Sequence, residues 1–185
     1  MRKALHLLGI LNDVDVEWIA GNGTRRYVPS GTTLIREKTP IDSMYILLEG
    51  QLSVYTEALR GLQLAVLLPG EIVGEISFVD SRLPTASVMA VADSELLALS
   101  RNVLLLKLEK DTAFAARFYR AIAAFLADRI RTTVGKFGYG PAQQDNAESL
   151  DEVEDVSMDE ISMAAIRFDK MLKALRTDYR PKAIA

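Results

Sequence analysis

The 185-residue sequence contains no cysteine and a single histidine, His6. Without thiols there is no disulfide, thiolate zinc site, iron–sulfur cluster or cysteine nucleophile. One imidazole cannot assemble a metal cluster. A Ser-His-Asp relay would have to recruit His6 from an apolar N-terminal segment, and no nucleophile-elbow motif accompanies it. A loop of the kind that cradles nucleoside triphosphates is also missing, so an enzymatic reading has no chemistry to rest on. No apolar run approaches the ~18 residues needed to cross a bilayer. The stretch LHLLGIL behind Met1-Arg2-Lys3 is short and lacks a small-residue cleavage pattern, and a soluble, cytoplasmic protein is expected. Positive charge is in slight deficit, 22 Lys+Arg against 25 Asp+Glu. That is the wrong sign for a whole-domain nucleic-acid surface.

What is present suits one domain with an extra element. Apolar residues make up 49% of the chain, enough for a real core. Residues 1–21 read as two short helices, with Asn12 and Asp13 offering a cap and Val14, Trp18 and Ile19 supplying an apolar side. From Tyr27 to Leu99 the pattern changes to short runs with period-two alternation, punctuated by Ser30-Gly31, Glu49-Gly50, Pro69-Gly70 and Asp93-Ser94. Strands this short, with turn signals this frequent, predict an antiparallel sandwich or barrel in place of βαβ units.

After Ser100 the period becomes helical to about Val134, with a break at Asp111, which is placed to cap a longer helix. Along that helix Phe114, Phe118, Ile122, Phe125 or Leu126, Ile130 and Val134 recur at helical spacing, and alanines fill much of the remainder. Such a helix is apolar on more than one side. One side would pack on the β-barrel, and the other points to a homodimer through residues 112–134. Residues 135–156 carry glycines, Pro141 and a run of acidic side chains, and read as a flexible linker. Ser157 and Glu160 then form a capping box for an amphipathic helix over 157–178. Its expected stripe is Ile161, Ala165, Phe168, Leu172 and Leu175, edged by Met158 and Met171. Lys170, Lys173 and Arg176 suit its C-terminal dipole.

The segment Gly74 to Val88, GEISFVDSRLPTASV, carries the most information. Together with Gly31, Tyr45 to Gly50 and Pro69-Gly70, it resembles the cyclic-nucleotide-binding domain family in its catabolite-activator-like, stand-alone form. The resemblance covers roughly residues 8–134 and implies a mainly β fold with flanking helices, an antiparallel β-roll or jelly-roll barrel closed by a long C-terminal helix. It implies a phosphate-binding cassette in which backbone N–H groups hold a cyclic phosphate. By the same resemblance Gly74 lets the sugar approach, Glu75 accepts its 2′-hydroxyl, and Ile76 and Ser77 follow on the cassette helix. Thr85, Ala86 and Ser87 would lie along the phosphate and base, and Thr132 or Thr133 would reach the base from the long helix. The implied ligand is cAMP or cGMP.

One position departs from the pattern. Pro84 stands where the resemblance places the phosphate-binding arginine, and proline has neither charge nor N–H. Arg82, two positions upstream, is the candidate substitute. Two functions follow from this: a non-enzymatic regulatory module sensing a cyclic nucleotide or related phosphorylated ligand, or a degenerate form used for protein interaction or assembly. In the second, the amphipathic helix 157–176 would be the docking face. Nucleic acid and membrane are not expected partners.

Overall fold

The computed structural model describes residues 5–57, 61–136 and 158–177. Two short helices, α1 (Leu5–Ile10) and α2 (Asp13–Asn22), precede eight strands: β1 (Thr24–Val28), β2 (Thr33–Ile35), β3 (Ser43–Glu49), β4 (Leu52–Thr56), β5 (Leu62–Leu67), β6 (Ile72–Val73), β7 (Ser87–Ala90) and β8 (Ser94–Ser100). The short α3 (Glu75–Asp80) lies between β6 and β7. Helices α4 (Arg101–Lys110), α5 (Thr112–Lys136) and α6 (Met158–Thr177) follow β8.

The strands form two antiparallel four-stranded sheets, ordered β1-β8-β3-β6 and β2-β7-β4-β5. This is the expected roll, but the sheets stay separate and no barrel closes among the described strands. The run MYILL in β3 is buried throughout because both faces of that strand are covered. Alternate side chains feed two cores, as a strand's period of two dictates. Tyr45 and Leu47 meet Leu96, Ala98, Leu52 and Val88 between the sheets. Met44, Ile46 and Leu48 face the helices and join Leu97, Leu99, Phe114 and Phe118.

The helical core rests on paired ends. Asn12 and Asp15 form a reciprocal capping box at the start of α2. The buried Asp15 carboxylate also accepts two bonds from Arg117 of α5, at 2.6 and 2.9 Å. Asp111 caps α5 by accepting from the Phe114 N–H at 2.9 Å. Phe118 stacks on Phe114 and meets Phe78 of α3 edge-on, with centroids 5.7 and 5.9 Å away. That contact joins the long helix to the segment between β6 and β7.

Three sequence expectations change. Val14 is exposed at 69%, and the buried face of α2 is Val16, Ile19 and Ala20. Ile130 and Val134 do not continue the buried stripe of α5, which ends at Phe125; both are exposed. Among the described side chains of α6 the buried ones are Ala164, Met171 and Leu175, flanked by half-buried Phe168 and Leu172, while Ala165 is exposed; the side chains of Met158 and Ile161 lie outside the described ones. The stripe is therefore rotated, with Met171 central.

That face of α6 packs within the same chain on α1 and α2. Arg167 donates to the Leu8 and Gly9 carbonyls at 3.0 Å and pairs with Asp13 at 2.8 Å. Lys170 reaches the other Asp13 oxygen at 3.0 Å, and Arg25 of β1 donates to the Leu175 carbonyl at 3.2 Å. The expected linker, 135–156, starts too early, since Gly135 and Lys136 still belong to α5; the rest of it and the capping residue Ser157 lie outside the described residues.

Candidate functional site

The site is built where β6 runs out. Gly74 adopts φ +86°, and a Cβ there would lie 3.0 Å from the Ile41 side chain and 3.1 Å from the Ser43 carbonyl. Glycine thus turns the chain through the left-handed region and lets it pass close to the residues leading into β3. Glu75 begins α3 with its side chain 1% exposed. The helix lasts six residues and stops at Ser81, also left-handed at φ +59°. Arg101, the first residue of α4, ties off that end. It donates to the Ser77 and Phe78 carbonyls at 3.0 and 3.2 Å and to the Ser81 hydroxyl at 2.9 Å, with its guanidinium over the Phe78 ring.

The return segment is fixed from the other side. The Lys38 N–H donates to the Pro84 carbonyl at 2.9 Å, and the Glu37 N–H donates to the Ser87 hydroxyl at 2.9 Å. Glu37 is anchored in turn: its carboxylate accepts from the Glu57 N–H and the Thr56 hydroxyl, both at 3.0 Å. Those bonds, the backbone one foremost, hold the Glu37 carboxyl below the usual carboxylate range.

Between these segments lies an open cavity of about 80 Å³, continuous with solvent. One side is Gly74, Glu75, Ile76 and Ser77, and the opposite side is Pro84, Thr85 and Ala86. The floor is aliphatic: Ile35, Ile41, Val54, Val73 and Val88. The remaining wall is Arg129 of α5. Its guanidinium pairs with the Glu75 carboxylate, donates to the Ile72 carbonyl at 3.3 Å and lies 4.8 Å from the Phe125 ring centroid. Burial pushes the Glu75 carboxyl above its ordinary value, against the opposing pull of Arg129.

Six of the sequence candidates, Gly74, Glu75, Ile76, Ser77, Thr85 and Ala86, share this cavity. Arg82 is exposed and outside the lining; its N–H donates to the Asp80 carboxylate at 2.9 Å. Ser87 is buried behind the lining. Thr132 and Thr133 turn their hydroxyls back to the Asp128 and Arg129 carbonyls, at 3.0 and 2.8 Å. Sequence reasoning missed Arg129 and the aliphatic floor. The available signal was a cation one turn beyond Phe125, on a helix otherwise rich in alanine.

Comparison with known proteins agrees with this architecture. A family model of the cyclic nucleotide-binding domain matches residues 25–111. The cyclic AMP receptor protein of Thermus thermophilus is 34% identical over 109 residues, 58% of this chain and 49% of that protein. The chain thus spans about half the length of this curated relative. The N-terminal domain of a transcriptional regulator from Streptomyces coelicolor is similar with a TM-score of 0.57 and 28% identity, covering 69% of this chain and 90% of that one. A cyclic nucleotide-binding domain from Methylobacillus flagellatus superposes with a TM-score of 0.67 over 78% of this chain and 85% of that one. At 19% identity that likeness speaks for the fold alone.

Proposed function

Residues 25–111 belong to the cyclic nucleotide-binding domain family, and on that premise we propose that the protein is a non-enzymatic regulatory module that senses a small ligand in the cavity between Glu75 and Thr85. One observation carries the reading: the cavity is walled partly by the β-roll and partly by Arg129 of the long helix. A ligand that displaces or reinforces the Arg129–Glu75 pair acts directly on α5. Occupancy can then bias two arrangements of that helix, which is what ligand sensing requires. The packing of α6 on α1 and α2 would pass the change on to the C-terminal helix.

The expected ligands of the family fold, cAMP and cGMP, are the first to test. Calorimetric titration of the full chain with cAMP, cGMP and cyclic dinucleotides should give heat with at least one if a cyclic phosphate is the signal. Silence up to millimolar ligand removes that class.

A second reading is favoured by Pro84 in the cavity wall and by the exposed apolar side of α5. A degenerate domain would keep the roll as a scaffold for assembly, with α5 as the homodimer contact. The face of α6 proposed for docking a protein partner is buried against its own chain, so such a partner would have to compete with α1 and α2. Ile130→Asp on α5 should then lower the oligomeric mass and deletion of residues 141–185 should alter partner capture, and unchanged behaviour in both rejects the second reading.

A further inference from the structure

We propose that the cavity takes an uncharged small molecule, with a largely apolar body and a hydroxyl or carbonyl group placed against the Glu75–Arg129 pair. This rests on the reading of the cavity as a ligand site and narrows the chemistry of what enters it.

The charge inventory points there. Among the described lining residues the ionisable side chains are Glu75 and Arg129, and they are bonded to each other. With Glu75 ionised their charges cancel. Arg129 is further committed to the Ile72 carbonyl and the Phe125 ring. An anionic ligand meets no cation in the lining that is not already paired, and one that drew the guanidinium away would leave a carboxylate at 1% exposure without its partner. Breaking a buried pair in that way is strongly unfavourable.

Among the described residues no other cation lines the cavity. Arg82 is exposed and outside the lining. The Lys38 ammonium is 76% exposed, sits 3.4 Å from a Glu37 oxygen and is also outside the lining. Pro84 has no N–H, and its carbonyl is already taken by the Lys38 N–H. With six residues α3 is also too short for its N-terminus to act as an anion site by itself. The other surfaces suit a neutral body: Ile35, Ile41, Val54, Val73 and Val88 offer hydrocarbon, and Thr85 adds a hydroxyl. An apolar cavity with few convergent polar groups is the usual form of a small-molecule site.

The test uses a matched pair of fluorescent probes, naphthol and naphthoate, which share a ring system and differ in charge at neutral pH. The full chain should bind naphthol at least about tenfold more tightly than naphthoate, as expected for one lost charge-assisted contact. Ile41→Trp, on a partly exposed loop, should fill the cavity and abolish binding, and Val54→Trp provides a second variant should the first fail to fold. Pro84→Arg should reverse the preference and admit cAMP. Naphthoate binding as tightly as naphthol overturns the proposal. So does naphthol binding that survives both tryptophans, because it then lies elsewhere. Binding of cAMP without naphthol overturns the ligand class and leaves sensing intact. If neither naphthol, adenosine nor any cyclic nucleotide binds, the sensing function falls with it.

Discussion

Arg129 and Glu75, 54 residues apart in sequence, form the ion pair that joins the long helix to the cassette. Glu75 is buried and Arg129 is partly exposed, so the carboxylate depends on this partner for its charge. Arg129→Ala should therefore destabilise the domain by about 1–3 kcal/mol at mildly alkaline pH. The sign with pH follows from the raised Glu75 pKa. A carboxyl with a raised folded pKa stabilises relative to the unfolded chain when protonated, and loses that contribution as pH rises through the folded value. The loss in Arg129→Ala should therefore shrink on acidification, when Glu75 takes up a proton. Glu75→Gln should cost less and show a flatter profile. Urea denaturation of both variants across a pH series checks this; a pH-independent loss in Arg129→Ala contradicts it.

Three glycines with positive φ separate conformational strain from collision. Gly31 has open space where a Cβ would go, Gly74 has neighbours at 3.0 and 3.1 Å, and at Gly50 a Cβ would run into the Asp93 carbonyl and Ser94. Gly31→Ala should cost about 1–2 kcal/mol, the conformational penalty alone. Gly74→Ala should cost more, and Gly50→Ala most of all. The order, read from urea midpoints, is the prediction. If Gly31→Ala proves the most damaging, packing at the other two turns is looser than described.

The roll was legible from sequence because its turns are written in glycine, proline and aspartate, and those residues act locally. Within β3 the division between two cores was not legible, since MYILL is apolar at every position and alternation leaves no mark. The phase of α6 was missed by one residue because alanine sits at both 164 and 165 and fits either side of a helix. The site divides in the same way. Gly74, Glu75, Thr85 and Ala86 were found because they lie close together in a recognisable order. Arg129 was not, because what makes it part of the site is a carboxylate in a distant element. Ser87 follows Thr85 and Ala86 in sequence, yet its hydroxyl serves the Glu37 N–H.

Asp13 holds the C-terminal helix through Arg167 and Lys170, and those two cations, Arg167 first, keep its carboxyl below the ordinary range. A depressed carboxylate pKa stabilises the fold above the unfolded value, and that contribution is lost as pH falls through the folded value. The difference in stability between the parent and Asp13→Asn should be full at neutral pH and close as pH drops below 3.8, the ordinary value for this group. Added salt should narrow it too, because these side chains are partly exposed. Circular dichroism during urea unfolding at several pH values measures the gap. A gap that persists at the acid end would show that Asp13 acts through something other than these ion pairs.

The outer side of α5 carries Ala116, Ala123 and Ile130 at seven-residue spacing, all exposed, with Val134 also exposed one turn beyond Ile130. A seam of small and apolar side chains on that spacing suits close approach of an identical helix across a two-fold axis, where each residue meets its own counterpart. Ile130 is the sharpest probe because it is 63% exposed. Ile130→Asp should leave monomer stability within about 0.5 kcal/mol, as surface substitutions usually do. It places like charges opposite each other in the dimer and should halve the mass seen by light scattering at micromolar concentration. Ala123→Ser, small and neutral, should not. If Ile130→Asp leaves the mass unchanged while the parent is dimeric, the subunits meet through another surface. If the parent itself is monomeric, the exposed seam has no partner in a second copy of this chain.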